Sequence, residues 1–360
     1  MPQISSDRAR LYRTLRTAHL EQIRALAPAT VLYQARRYDF DESAAQGLDL
    51  VMTTSLRCAV LLLRSRVSWL EINEPLMRYG IRGASLALAA LALRTTFGVP
   101  RPTIVTYAIE NLDPFTIATR PGPRATVSRY IDRMLTRLVW KRVDRIVYGT
   151  EDSRRTYQKG LPARASLLEI LIPTLPERCV LDAGPKDLNR VVFLGAFSER
   201  KGFSLMVSAW TLVSRGKPER RLVILGKGDL EPQARLFAKC NDSVSLIIDP
   251  TRAEIHRQLR GSQVLVLPSQ PASHWREQVG LPITEALAHG CSIVSTSETG
   301  LSSWLVEHGH SVIPSGGDAA TLARAIEFQI QLGRPPEEVL TSLPARDGRL
   351  AADDWLFASL

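Results

Sequence analysis

Residues Trp275–Gly290 read WREQVGLPITEALAHG. Gly280 closes a loop, Pro282 suits the first turn of a helix, and Gly290 suits its stop. The peptide N–H groups around Gly280 and Leu281 then sit at a helix N-terminus. Donors without a helical acceptor and the positive end of the dipole attract an anion there, such as a diphosphate. Glu285 lies one turn into the helix, and Glu277 precedes the loop eight positions earlier. Carboxylates on either side of a bound phosphate can accept hydrogen bonds from hydroxyls at both ends of a ligand, as the ribose and hexose of a nucleotide sugar require. Two surface glutamates beside an ordinary capped helix would show the same spacing.

Outward from this stretch, short apolar runs alternate with helical patterns. Downstream of residue 188 the expected strands are Arg190–Leu194, Arg221–Leu225, Val244–Ile248, Gln263–Leu267 and Ser292–Ser295. Upstream they are Thr30–Gln34, Leu48–Thr53, Val67–Ile72, Thr103–Ala108 and Arg145–Tyr148. Strands alternating with helices predict parallel sheets covered on both faces, an α/β class. The stretch Ile172–Asp187, with three prolines and a glycine, reads as a linker. Two doubly wound, Rossmann-like domains are therefore expected. The first covers residues 1–177 and the second 178–340, and a tail of 341–360 ends in a helix that could pack back on the first domain. Open parallel sheets bind ligands beyond the carboxyl ends of their strands, so the residues after each strand are the candidates.

The Trp275–Gly290 stretch resembles the E-x7-E signature of retaining glycosyltransferases with the GT-B fold, the group 1 (family 4) type. The typical form E-G-F-G-L-P-x-x-E-A-M-A-x-G stands here as EQVGLPITEALAHG. Neighbouring segments resemble the family in the same order: VFLGAFSERKG at Val192–Gly202, LVILGKGDL at Leu222–Leu230, QVLVLPS at Gln263–Ser269 and EHGHSVIP at Glu307–Pro314. The resemblance covers about residues 190–330. It implies two domains facing across a cleft and transfer of a sugar from a nucleotide-diphosphate sugar with retention of configuration. By the same resemblance, Glu277 contacts the donor sugar and Glu285 the ribose. Lys201, with Arg200, neutralises the diphosphate, and Gly195, Val279, Gly280 and Leu281 line the donor site. Gly226 and Gly228 would let the backbone pass close to the nucleotide, or serve as turn glycines. The family often carries Arg after the first glycine, where this chain has Ala196. No resident cofactor or metal is expected.

The front half shares only the rhythm of that family. Arg8–Leu26 reads as a helix, so the first strand of the domain is expected to be missing. Within it, Leu11, Leu15, Ala18 and Ile23 alternate with Arg10, Arg13, Arg16 and Arg24, a basic amphipathic pattern that could dock on a sheet or touch a membrane. Strand ends carry Glu71-Ile72-Asn73-Glu74-Pro75 and Glu110-Asn111-Leu112-Asp113-Pro114. From position alone, Glu110 and Asn111 are the catalytic candidates of this half, with turn formation as the competing role. Asp39-Phe40-Asp41 and the His308/His310 pair are too common a spacing, with too few companions, to predict a metal site.

The basic residues are unevenly placed. Residues 1–180 carry 27 Lys and Arg against 16 Asp and Glu, and residues 181–360 carry 19 against 20. The front half should therefore meet something anionic, such as a polyprenyl-phosphate-linked or other glycan acceptor or an anionic membrane surface. No basic motif interleaved with aromatics points to nucleic acid. Four scattered cysteines (Cys58, Cys179, Cys240, Cys291) have neither metal nor disulfide spacing, and the Arg-rich N-terminus has no apolar core of a signal peptide. A cytoplasmic protein, peripheral on the membrane at most, is expected. The alternatives are an inactive GT-B scaffold in a glycan pathway and a sugar-nucleotide epimerase.

Overall fold

The computed structural model describes residues 4–37, 40–116, 122–178 and 186–358. The chain forms two compact units: Met1–Gly149 with Ser153–Ile172 and Arg349–Leu360, and Thr150–Asp152 with Pro173–Gly348.

The first unit contains β1 (Arg8–Leu15), α1 (Thr17–Ala25), β2 (Thr30–Arg36), α2 (Glu42–Ala45), β3 (Leu50–Met52), α3 (Ser55–Leu63), β4 (Trp69–Glu71), α4 (Arg78–Thr96), β5 (Thr103–Ala108), α5 (Pro123–Trp140), β6 (Arg145–Tyr148), α6 (Glu151–Gly160) and β7 (Leu168–Leu171). Its sheet runs β3-β2-β1-β4-β5-β6-β7, with every pair parallel.

The expectation of a missing first strand is overturned: β1 is present and central, and the predicted Arg8–Leu26 helix is this strand followed by α1. Leu11 and Leu15 stand four apart, which suits one face of a helix and one face of a strand equally. The deciding fact is non-local. Ala9, Leu11 and Leu15 are buried on one face of the sheet, and Arg10, which projects from the opposite face, is fully buried as well. The basic amphipathic surface helix expected there does not form.

Arg10 is buried because its charge is met. It pairs with Glu71 of β4 and, at 2.6 and 3.0 Å, with Asp353. Asp353 belongs to a later helix that covers the same sheet. Arg349 of that helix reaches Glu71 at 2.5 Å and stacks over Tyr107, 4.7 Å from the ring centre. Burial alone would make the Arg10 guanidinium easier to deprotonate, but Glu71 and Asp353 outweigh it and hold the charge more firmly than in water. Around these groups Val105 and Val147 pack against Ala352, Leu356 and Phe357. The other side of the sheet carries the main core, including Leu62, Leu70, Ala87 and Ile146, under α3, α4 and α5.

The second unit contains β8 (Asp187–Leu194), a 3-10 turn at Glu199–Lys201, α7 (Phe203–Val213), β9 (Arg221–Gly226), α8 (Glu231–Lys239), β10 (Val244–Ile248), α9 (Arg252–Arg260), β11 (Ser262–Leu267), α10 (Leu281–Ala288), β12 (Ser292–Thr296), α11 (Ser302–Glu307), β13 (Ser311–Ile313), α12 (Ala319–Leu332) and α13 (Pro336–Thr341). The helix that closes the first unit is α14 (Gly348–Leu356). The second sheet is also parallel, in the order β10-β9-β8-β11-β12-β13. β11 and β12 are buried along their whole length, as expected of strands covered on both faces. His310 is not at the surface. It is buried, accepts the Ile293 N–H at 3.2 Å, and its pKa is driven down to about 3 by burial.

Candidate active site

Chain order reverses once in the second sheet. From β8 the chain steps outward to β9 and β10, then returns to β11 on the other side and continues to β12 and β13. The crevice beyond the carboxyl ends of β8 and β11 is the position at which such sheets take ligands. Two loops meet there. After β8, the chain runs through Gly195 into the Glu199–Lys201 turn. After β11, it runs from Pro268 and Ser269 to Gly280.

These loops bring Lys201 and Glu277 into direct contact as an ion pair. Glu277 is 8% exposed, and its Oε2 also accepts from the Ser269 hydroxyl at 3.1 Å. Gln270 N–H donates to the Arg200 carbonyl at 2.9 Å and so fixes the turn to the β11 loop. The Arg200 guanidinium lies 4.6 Å from the centre of the Trp275 ring and the Lys201 ammonium 5.1 Å, so both cations share one aromatic ring. The turn fits against β11 only because residue 202 is glycine. Its φ is +70°, and a Cβ there would lie 1.9 Å from the Pro268 carbonyl oxygen.

Gly280, at φ +82°, precedes α10, and Pro282 occupies its first turn. Leu281 is exposed, whereas Val279 is buried and its carbonyl accepts from the Thr299 hydroxyl at 2.8 Å. Thus Val279 anchors the loop, while Gly280 and Leu281 present the start of the helix. Glu285 stands one turn further, half-buried, and pairs with Arg252 of α9 at 3.1 Å.

The glycines after β8 and β9 have a protein-internal cause. A Cβ on Gly226 would lie 2.0 Å from the Gly195 carbonyl oxygen, and one on Gly228 2.6 Å from that of Phe197. Phe197 N–H donates to the Lys227 carbonyl at 3.1 Å, and Leu230 N–H to the Phe197 carbonyl at 3.0 Å. Two strand-end loops are thereby laced backbone to backbone.

In the first unit, Glu110 and Asn111 follow β5. Glu110 Oε1 accepts the Leu112 N–H at 3.2 Å, and Asn111 is buried. The organising group is Glu74, beyond β4. Its Oε2 accepts the N–H groups of Ile109 and Glu110 at 3.1 and 3.0 Å and the Tyr157 hydroxyl at 3.1 Å. Burial, aided by the neighbouring Glu110 carboxylate, pushes the Glu74 pKa up to about 8, against the pull of those donors. Glu74 and Tyr157 were not foreseen as site residues. The Glu-Pro at a strand end was a visible signal for the first, whereas nothing local marks Tyr157. Ser269, Trp275 and Gly202 lie inside quoted segments, but their roles depend on contacts across the fold. Asp39 lies outside the described residues, and Asp41 caps α2 by accepting the Ser43 N–H at 2.8 Å.

A crevice with two cations against one tryptophan ring, a buried carboxylate and a helix start can hold a phosphate and hydrogen-bond a hydroxyl beside it. Residues 189–331, less than half of the chain, match the family model described as "Glycosyl transferases group 1". The amylovoran biosynthesis glycosyltransferase AmsK of Erwinia amylovora is 29% identical over 150 residues, which is 40% of this chain and 36% of AmsK. The chain therefore spans little more than a third of that relative. Among solved structures, Anabaena Alr3699/HepE in complex with UDP superimposes with a TM-score of 0.67 at 13% identity, covering 97% of this chain and 95% of that one. WaaG, a glycosyltransferase involved in lipopolysaccharide biosynthesis, superimposes with a TM-score of 0.62 at 12% identity, over 98% of this chain and 100% of that one. The fold is the α/β fold of the GT-B glycosyltransferase structures.

Proposed function

From a second unit that matches the group 1 glycosyl transferases and a fold shared with GT-B structures, we propose that this chain is a glycosyltransferase. It would move a sugar from a nucleoside-diphosphate sugar to a hydroxyl of a glycan or lipid-linked glycan acceptor, in cell-surface polysaccharide or glycolipid assembly. The observation that carries this reading is the Lys201–Glu277 pair at the β8/β11 switch, with Ser269 and Trp275 holding it in place.

In this reading the diphosphate lies against Lys201, Arg200 and the amides that open α10, and Glu277 accepts from hydroxyls of the sugar. The Glu285 carboxylate is placed for the ribose, which would compete with Arg252 for it. The bond from the anomeric carbon to the phosphate oxygen breaks, and a bond to the acceptor oxygen forms on the same face, giving retention. The acceptor proton passes to the departing phosphate. The protein's part is to position both partners and to stabilise the developing charge with cations and helix amides already in place. No resident cofactor or metal is invoked, since Lys201 and Arg200 supply the positive charge.

UDP and UDP-sugars are the first probes, because HepE was solved with UDP. Other nucleoside diphosphates and their sugars follow. At about 100 times its dissociation constant, a donor should stabilise the chain by about 2.7 kcal/mol in thermal or urea unfolding. Glu277→Gln should keep the fold but lose the gain from the sugar more than that from the bare nucleotide. No stabilisation by any nucleoside diphosphate or its sugar would overturn the reading. Retention is checked from the anomeric coupling constant of the product.

A further inference from the structure

We propose that Glu74 binds the acceptor in the first unit: its Oε1–H donates a hydrogen bond to an oxygen of the acceptor glycan. In the first sheet the chain steps from β1 out to β2 and β3, then returns to β4 on the other side. The crevice of this unit therefore lies beyond the carboxyl ends of β1 and β4, and Glu74 stands three residues past the end of β4.

The carboxyl group is held by one oxygen only. The three donors described above all reach Oε2, whereas Oε1 has no hydrogen-bond partner among the described residues. The Leu76 N–H donates to the Tyr157 oxygen at 3.3 Å, which leaves the phenol hydrogen for Oε2. With Oε2 supplied by three hydrogens, the proton of the neutral acid belongs on Oε1. The loop that carries Glu74 is fixed as well. Ile72 N–H donates to the Val105 carbonyl at 2.9 Å, and the Thr106 and Thr136 hydroxyls donate to the carbonyls of Ile72 and Pro75 at 3.2 Å each. A donor held in this way meets its ligand with little ordering left to do.

Glu71, three residues earlier, shows how the same unit buries a carboxylate for stability: it is paired with Arg10 and Arg349. Glu74 is 5% exposed, and no Lys or Arg among the described residues pairs with it. The titratable groups that face it are Glu110 of the β5 loop, whose charge favours the protonated acid, and Tyr157 of α6, whose hydrogen bond opposes it. Burial decides the balance, so the group is mostly neutral at pH 7. A neutral acid can donate to an oxygen of an anionic acceptor, which a carboxylate would repel. The excess of 27 basic over 16 acidic residues in 1–180 suits such an acceptor. The hydrogen bond orients the acceptor and passes no proton to it, and the acceptor's own proton still leaves with the phosphate. The inference rests on the transfer reading and names the residue that would orient its second substrate.

The first measurement needs neither substrate. A diazo amide esterifies a carboxyl only while it holds its proton: the acid proton moves to the diazo carbon, the carboxyl oxygen bonds that carbon, and N2 leaves. On the folded full chain at about pH 6.5, where an ordinary glutamate is almost wholly ionised, Glu74 should be esterified and surface glutamates should stay largely unlabelled. The yield at Glu74 should halve near pH 8. A folded chain without label on Glu74 would close Oε1 to any ligand and overturn the inference. The second measurement is transfer of labelled sugar to membranes from cells lacking this chain, which supply the natural acceptor. Between about pH 7 and 9 the membrane concentration for half-maximal rate should rise about tenfold, following the protonated fraction, while the donor KM stays constant. Glu74→Gln donates from the same place and cannot ionise, so its membrane requirement should not change with pH. The same pH dependence in parent and variant, or none in either, overturns the inference and leaves the transfer reading intact. A chain that labels at Glu74 but moves no sugar from any nucleotide donor fails the transfer reading and the acceptor role with it.

Discussion

At Glu74 two opposing effects act on one carboxyl group. Three donors favour its ionised form, whereas burial and Glu110 favour its protonated form, and the second pair prevails, giving a pKa of about 8. An unfolded glutamate releases its proton near 4.5. Between these values the folded chain binds more protons, so the contribution of Glu74 is fully present below about 4.5 and is lost as pH rises through about 8. Glu74→Gln keeps an oxygen to accept the Ile109 and Glu110 amides but cannot ionise. Urea midpoints measured across this range should fall with pH in the parent and fall less steeply in the variant. An unchanged slope would remove Glu74 as the cause. In the second unit, the Lys201–Glu277 pair follows a different rule. Replacing either partner leaves a charge in a buried setting, so loss of donor binding by Lys201→Ala must be read beside its stability.

Among the elements, those with local signals were legible in the sequence. Gly280, Pro282 and Gly290 bracket α10, observed at Leu281–Ala288. Strand β5 at Thr103–Ala108 stands where its β-branched run placed it. β1 was not legible, because its arginines imitate a helix surface until Glu71 and Asp353, distant in sequence, are seen to receive Arg10. β7 is a short edge strand whose Leu168–Ile170 face solvent, so it lacks the buried run that marked the others. The site was legible in its charged residues and not in its clearances. Lys201 and Glu277 could be named from the resemblance, but the need for glycine at 202 comes from the Pro268 carbonyl of a different strand end. Gly202→Ala combines an unfavourable φ with a backbone collision. It should cost at least about 2 kcal/mol in urea unfolding and remove donor binding with it. A folded variant with intact binding would show that the turn can move away from β11.

At the scale of the molecule, the charge division seen in the sequence has a structural counterpart. The basic half builds the first unit, where much of the excess arginine lies exposed on α5, while Arg10 and Arg349 are internal. The two-domain rhythm was readable because each unit repeats the same strand–helix alternation. The return of the chain to the first unit was only an option for the tail, since the partners of α14 are specified by geometry rather than by pattern. Arg10, Arg349, Glu71 and Asp353 form a buried group of two positive and two negative charges. Asp353→Ala leaves the positive members in excess and should destabilise the first unit by about 3–5 kcal/mol. Urea unfolding followed by tryptophan fluorescence, to which Trp69 and Trp355 in the first unit contribute, should show this loss. An effect below about 1 kcal/mol would mean that water or a neighbour compensates.

The late position of α14 also sets an order for biosynthesis. While the ribosome is still translating the second unit, the nascent first unit has Val105, Val147 and Tyr107 uncovered and no carboxylate from Asp353 for Arg10. That half of the protein cannot be sealed until translation has passed Phe357, so it must be sheltered by chaperones or tolerate an open, sticky face for as long as the rest of the chain takes to make.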